Sequence, residues 1–320
     1  MPGFVYLILI SSLACLVMSN SPSLAFVSGT VWGISLVLGG YLLSYRNMLL
    51  IFGLNILLLY GLAGSSNLFF LLVFGMPSFI MGLLLRGQKG YYELQKWGTL
   101  TAVLLTSLFM GLTYYNAGEF SIANIQAEYD QAINESVNLS ADSEFLKFYE
   151  EQGISPEELR NTLTTVARWT IIHLPAYYCI RAILAVYLIL ILSSYISRKK
   201  ELPILSRKPY REEKMPWQLA WVIIIALSLW LWGKDEMMNL YYFGSNILVV
   251  AAPVTVYYGL AGITYQWSKS TSRGRRWILI LLIINILVLP LAAIIFIGLL
   301  GLFDSLLDYR KLDHKKEEAR

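Results

Sequence analysis

The chain predicts an all-α fold, a polytopic membrane helix bundle of about nine spans. Three observations predict it. Of the 320 residues 57% are hydrophobic and 14% charged, against about 25% charged in soluble domains, and the mean hydropathy is +0.57. Apolar runs near membrane length recur along the whole chain, at 4–18, 24–43, 48–63, 66–85, 98–115, 165–196, 217–233, 239–265 and 277–303, leaving no soluble domain of ordinary size between them. Lys and Arg gather in the short segments between alternate runs, the asymmetry that orients membrane helices.

The first run opens with "MPGFVYLILISSLACLVMSN", which lacks the positively charged start of a signal peptide, so residues 4–18 read as a retained span. The first and third runs are short for a hydrocarbon core of ~30 Å, which takes about 20 residues, and such spans tilt or thin the bilayer. The second run carries Gly29 and Gly33, a small-xxx-small pair, and Trp32 at its centre. The fourth ends at "RGQKGYYELQKW", with Arg86, Lys89 and Lys96. Cys15 and Cys179, both within apolar runs, read as buried side chains.

After the fifth run, segment 116–162 holds ten acids and two bases. Within it "SADSEFLKFYEEQG" predicts a short amphipathic helix capped by Ser140 or Ser143, with Phe145, Leu146, Phe148 and Tyr149 as its apolar stripe. "SPEELRNTL" is a strong helix start: Ser155 as N-cap, Pro156 at the first helical position, Glu157 and Glu158 in the first turn. Asn134 and Asn138 begin N-x-S sequons. The sixth run, 165–196, leads into a loop at 197–216 with seven bases, from Arg198 to Lys214. Three further spans fill 217–303, and 304–320 is a charged tail.

The basic loops, including Lys269, Arg273, Arg275 and Arg276, place the N-terminus in the cytoplasm and 116–162 outside. Tryptophans support the scheme: Trp97, Trp217, Trp221, Trp267 and Trp277 fall at inner edges, Trp169, Trp230 and Trp232 at outer ones. A bacterial cytoplasmic membrane is the expected location. The tail carries five bases but follows a ninth run that should end outside. A hairpin at Pro290 gives arms of only about 13 residues, roughly 20 Å, so one long kinked or tilted helix and an outer tail are expected.

No H-E-x-x-H, P-loop, dinucleotide-binding glycine pattern or G-x-S-x-G elbow occurs. Neither a metal nor a cofactor is expected. No span holds a paired acid and base, so an enzyme is not expected either. What remains is polar chemistry within apolar runs. Arg181 lies 13 residues before Ser194, roughly 20 Å above the inner boundary at 1.5 Å per residue. His173, Tyr177 and Arg181 stand at i, i+4 and i+8 on one helix face, beside Pro175. Together they present donors suited to an anionic solute. The structural alternative is Arg181 bonded to backbone carbonyls, to Asn246 or Asn285, or extended to the interface. Asn55, Asn246 and Asn285 predict hydrogen bonds between helices. Tyr241, Tyr242, Tyr257 and Tyr258 predict packing or interface anchoring.

The pieces "FFLLVFGMPSFIMGLLLRGQKG", "GISPEELRNTL", "SRKPYREEKMPWQLAW" and "GLFDSLLDYRKL" carry a resemblance over nearly the whole chain to the YybS-like family of predicted bacterial membrane proteins. Gly301, Asp304, Asp308, Tyr309, Arg310 and Lys311 are its most specific part. The N-terminal part is similar to the membrane-embedded S-components of energy-coupling-factor vitamin transporters. That similarity implies a six-helix solute-binding bundle over 1–197, a pocket open to the outside near Arg181 and His173, and docking on a partner through small residues such as Ser11, Ser12 and Ala14. The expected function is binding or uptake of a small solute. The alternative is a membrane scaffold or regulator that docks a protein partner on loop 197–216, which Pro203 and Pro209 keep extended. Membrane lipids are expected partners in either reading; nucleic acid is not.

Overall fold

The computed structural model describes residues 2–63, 68–116, 127, 130–131, 151, 153, 155–199 and 205–310. Among them there is no strand. A chain in lipid must satisfy its backbone within each segment, which the α-helix does alone. Among the described residues seven helices are long and apolar enough to cross a membrane, and each of the nine apolar runs falls on helix, two of them with a break. The predicted short helix near 140–153, the two sequons and the tail beyond Arg310 lie outside the described residues. The chain forms two compact units, residues 1–207 and 208–320.

The first unit contains α1 (Pro2–Asn20), α2 (Ala25–Leu42), α3 (Tyr45–Ala63), α4 (Leu68–Arg86), α5 (Tyr91–Asn116), α6 (Pro156–Ile172) and α7 (Leu174–Lys199). Its core is Trp32, Val73, Phe74, Met81, Leu94, Ile189 and Leu190, all fully buried. The two cysteines are buried as well. Inside α4, Pro77 has no N–H to give Val73, and residues Leu71–Gly75 form a π turn in which Met76 N–H reaches back to Leu71 O.

Close backbone contacts set the register. A Cβ on Gly40 would stand 2.0 Å from the carbonyl oxygen of Gly82, and one on Gly29 would strike the Phe74 ring. α2 and α4 are therefore parallel, and Ile189 of α7 packs at Gly33 in the same direction. Ser107 meets Cys179 at 3.7 Å and Gly98 faces Val186, so α5 runs opposite to α7. These directions bring Arg46, Arg86, Lys89, Lys96, Arg198 and Lys199 to one end of the unit.

The predicted run at 165–196 is two helices. Pro175 cannot donate to Ile171, and the chain breaks at His173, whose φ/ψ of −99°/10° lies outside the helical basin. The start of α6 is as predicted: Ser155 Oγ accepts from Glu158 N, and the Glu158 carboxylate accepts from Ser155 N. This reciprocal cap satisfies two donors at once.

The second unit contains α8 (Trp217–Glu236), α9 (Met238–Lys269), α10 (Ser272–Val288) and α11 (Pro290–Leu307). α8 and α9 are antiparallel, with Gly244 against Ala226 O. The predicted single helix over 277–303 is not formed. Leu289, before Pro290, leaves the helical basin with φ/ψ of −138°/68°, and the chain turns back. Gly298 packs at Thr255, Gly301 at Gly259 and the Tyr309 hydroxyl at Gly262, so α11 runs parallel to α9; a Cβ on Gly259 would stand 1.9 Å from Ile297 O. Its last residues reach the end where α9 finishes and Arg273, Arg275 and Arg276 begin α10. The arms hold 17 and 18 residues, about 25 and 27 Å. They are longer than the apolar run because Ser272–Arg276 and Asp304–Leu307 are helical too. The described chain ends at Arg310, at the end of the unit where Tyr265 and Lys269 finish α9.

Candidate functional site

Arg181 is the eighth residue of α7. Its guanidinium lies 5.8 Å from the ring centre of Phe26 on α2 and 5.6 Å from that of Phe69 on α4. Tyr178 packs edge-on against Phe69 at 5.1 Å, and Phe109 of α5 lies 5.8 Å from the same ring. Arg181 is half-buried. Among the described residues its N–H groups have no hydrogen-bond acceptor and no carboxylate; the two rings are its partners. Ring faces stabilise the cation without consuming its directional donors. The site is thus a cation held inside protein with its hydrogen-bonding edge unspent.

His173 and Tyr177 belong to a separate cluster. His173 is buried, its Nδ1 is 2.8 Å from Trp169 O, and its ring lies 4.6 Å from the Trp169 ring. Tyr177 is exposed and packs edge-on against Trp169 at 6.1 Å. The break at His173 gathers these two around Trp169, while Arg181 turns to Phe26 and Phe69. An open recess of about 350 Å³, lined by Gly40, Tyr41, Leu85, Arg86 and Gln88, occurs at the basic end of the unit. Of the three predicted interhelical asparagines, Asn55 accepts from Ser12 of α1 at 3.3 Å. Asn246 and Asn285 donate to Tyr242 O and Leu281 O of their own helices.

The second unit contains an ionic centre that the sequence reading did not identify. Arg310, 3% exposed, donates from Nε and Nη2 to Oδ2 of Asp304, which is 1% exposed. Nη1 donates to Arg211 O at 2.8 Å and Nη2 to Glu213 O at 2.7 Å. Tyr265 Oη donates to Arg310 O, and Tyr257 Oη to the Glu213 carboxylate. Lys214 Nζ stands 2.9 Å from Asp308 Oδ1. The loop expected to be extended and exposed is therefore built into the unit over 211–215: Glu213 and Met215 are buried. The signal was present in "GLFDSLLDYRKL", where an aspartate falls inside an apolar helix; what it lacked was any indication that Arg310 folds back.

Fold and sites together define an all-helical, multi-pass membrane protein with a polar centre in each unit. The chain belongs to the family described as "Predicted membrane protein (DUF2232)", whose pattern matches residues 8–305. No curated protein and no solved structure matches it.

Proposed function

We propose that this protein binds or takes up a small anionic solute through its first unit, with Arg181 as the recognising cation. The observation that carries the reading is the guanidinium between Phe26 and Phe69, with no acceptor among the described residues. A charge at membrane depth is costly, and such a residue is by default a candidate for a solute pathway or ligand site. An anion supplies what the site lacks, and the neighbouring rings suit an apolar body attached to it. The reading agrees with the resemblance to transporter S-components expected from the sequence of residues 1–197, and in it the energy source is another subunit. The protein acts by binding rather than catalysis.

Orientation follows from charge. Arg46, Arg86, Lys89, Lys96, Arg198 and Lys199 face the cytoplasm of a bacterial cell, segment 116–162 lies outside, and Arg181 is in the outer half of the membrane. The Lys269–Arg276 end of the second unit, with Arg310 beside it, faces the cytoplasm also. Native mass spectrometry of protein released from membranes tests the site. The wild type is expected to carry an anionic adduct that Arg181→Gln lacks; an adduct retained in full by the variant overturns the assignment.

A further inference from the structure

Helix α4 ends in a turn that places a glutamine where glycine is the usual residue. The N–H of Gly87 donates to Leu83 O at 3.1 Å, that of Gln88 to Leu85 O at 2.9 Å and that of Lys89 to Leu84 O at 3.0 Å. The last two bonds are those of a Schellman cap, whose left-handed residue is here Gln88. Its φ is +59°, a conformation in which a side chain is strained and glycine is not. Gly87 and Gly90 stand close by on either side, yet the left-handed position itself keeps a side chain. Strain held in this way points to a use for that side chain.

Gln88 lines the recess of about 350 Å³ together with Gly40, Tyr41, Leu85 and Arg86. The cap also releases Arg86 from its own helix end, because the carbonyls of Leu83, Leu84 and Leu85 already have partners. Arg86 donates from Nη1 to Leu43 O instead, at the end of α2. That bond holds the guanidinium between α2 and α4, and its other N–H groups have no acceptor and no carboxylate among the described residues. Arg46, Lys89, Lys96, Arg198 and Lys199 gather at the same end of the unit. On α2, α3, α4, α5 and α7, Glu93 is the one acid. Near the recess along the chain, Leu42 and Tyr45 are exposed, and tyrosine is a residue of the membrane–water interface.

We propose that this recess holds the phosphate headgroup of an anionic phospholipid from the cytoplasmic leaflet. The phosphate accepts charge-assisted bonds from the unused N–H groups of Arg86, whose Nε and Nη2 suit two oxygens at once. The Gln88 amide, donor and acceptor together, bonds the rest of a polar headgroup. Tyr41 and Leu85 give the recess an apolar wall for the lipid's glycerol end. The volume falls within the range of about 300–1,000 Å³ of small-molecule sites. Basic pockets between membrane helices on the cytoplasmic side are where anionic headgroups settle, and a lipid reaches such a site already confined to the bilayer, an advantage no free anion has. The proposal rests on the orientation read from charge and not on Arg181, so it and the solute reading fail separately.

The test is native mass spectrometry of the full-length protein in detergent, with phosphatidylglycerol or phosphatidylcholine added at equal concentration. The wild type is expected to retain phosphatidylglycerol about fivefold better, and Arg86→Gln to abolish that preference. Gln88→Gly removes the side chain and relieves the backbone, so it should lower phosphatidylglycerol retention about twofold while raising the unfolding temperature. A glutamine with a structural role alone would not give that pairing. Lys96→Gln removes an equal charge outside the recess and should keep the preference. Equal retention of the two lipids by the wild type, full retention by either recess variant, or a loss in Lys96→Gln as large as in Arg86→Gln overturns the proposal. A further arm adds sn-glycerol 3-phosphate, and its retention in place of phosphatidylglycerol overturns the lipid as occupant.

Discussion

Arg310 in the second unit and Arg181 in the first are both arginines taken out of water, and their surroundings answer them in opposite ways. Arg310 meets one carboxylate and two carbonyls, and its side chain is wholly enclosed. Arg181 meets two aromatic faces, with no acceptor among the described residues. A buried charge is tolerated when it is paired and hydrogen-bonded, and destabilises when it is not. The difference teaches which arginine is architectural. Arg310 is satisfied within the fold and fixes where the last helix ends; Arg181 meets only ring faces among the described residues, the feature on which the proposed solute site rests.

The comparison breaks most visibly at Arg310. Arg310→Met leaves Asp304 buried without its partner and is expected to cost about 3–5 kcal/mol, measured by chemical or thermal unfolding in detergent. Adding Asp304→Leu should restore much of the loss, because an apolar pair of similar volume needs no counter-charge. Next in size is Gly259→Ala, whose new methyl meets Ile297 O. It pushes α11 off α9, withdraws Arg310 from its carbonyls, and should cost about 1–3 kcal/mol in the same assay. Arg181→Met sharpens the contrast: stability should stay within about 1 kcal/mol of wild type, because only ring contacts are lost.

The smallest effect is at Tyr309, which follows α11. Burial raises the pKa of its hydroxyl, the Asp304 carboxylate raises it further, and Arg310 lowers it in part. A raised folded value means full stability below the ordinary tyrosine pKa of about 10, with loss as pH climbs from there toward the folded value. Unfolding followed between neutral and alkaline pH should show that decline, and Tyr309→Phe should flatten it.

Much of the first unit was legible because its signals are local. Apolar length, the Ser155–Glu158 cap and the pile of bases at alternate loops each report on a short stretch of chain. The break at His173 was half legible, since Pro175 announced a distortion but not its size. What stayed hidden depends on distant residues. Nothing in the run 277–303 shows that Ser272–Arg276 and Asp304–Leu307 lengthen its two arms, and so a hairpin looked too short to form. Arg310 meets Arg211 and Glu213 across about a hundred residues of sequence, a separation no periodicity encodes. At the candidate site the sequence put His173, Tyr177 and Arg181 on one face; the break at His173 brings Trp169 of α6 against the first two, while Arg181, one turn further along α7, meets rings from α2 and α4.

The clasp at Arg310 has a consequence for biogenesis. Arg310 is translated after every group it joins, so four helices of the second unit enter the bilayer before that tie exists. Closure of the unit is then later than the insertion of its four helices. A chain cut short just after α11 leaves the buried Asp304 without its counter-charge.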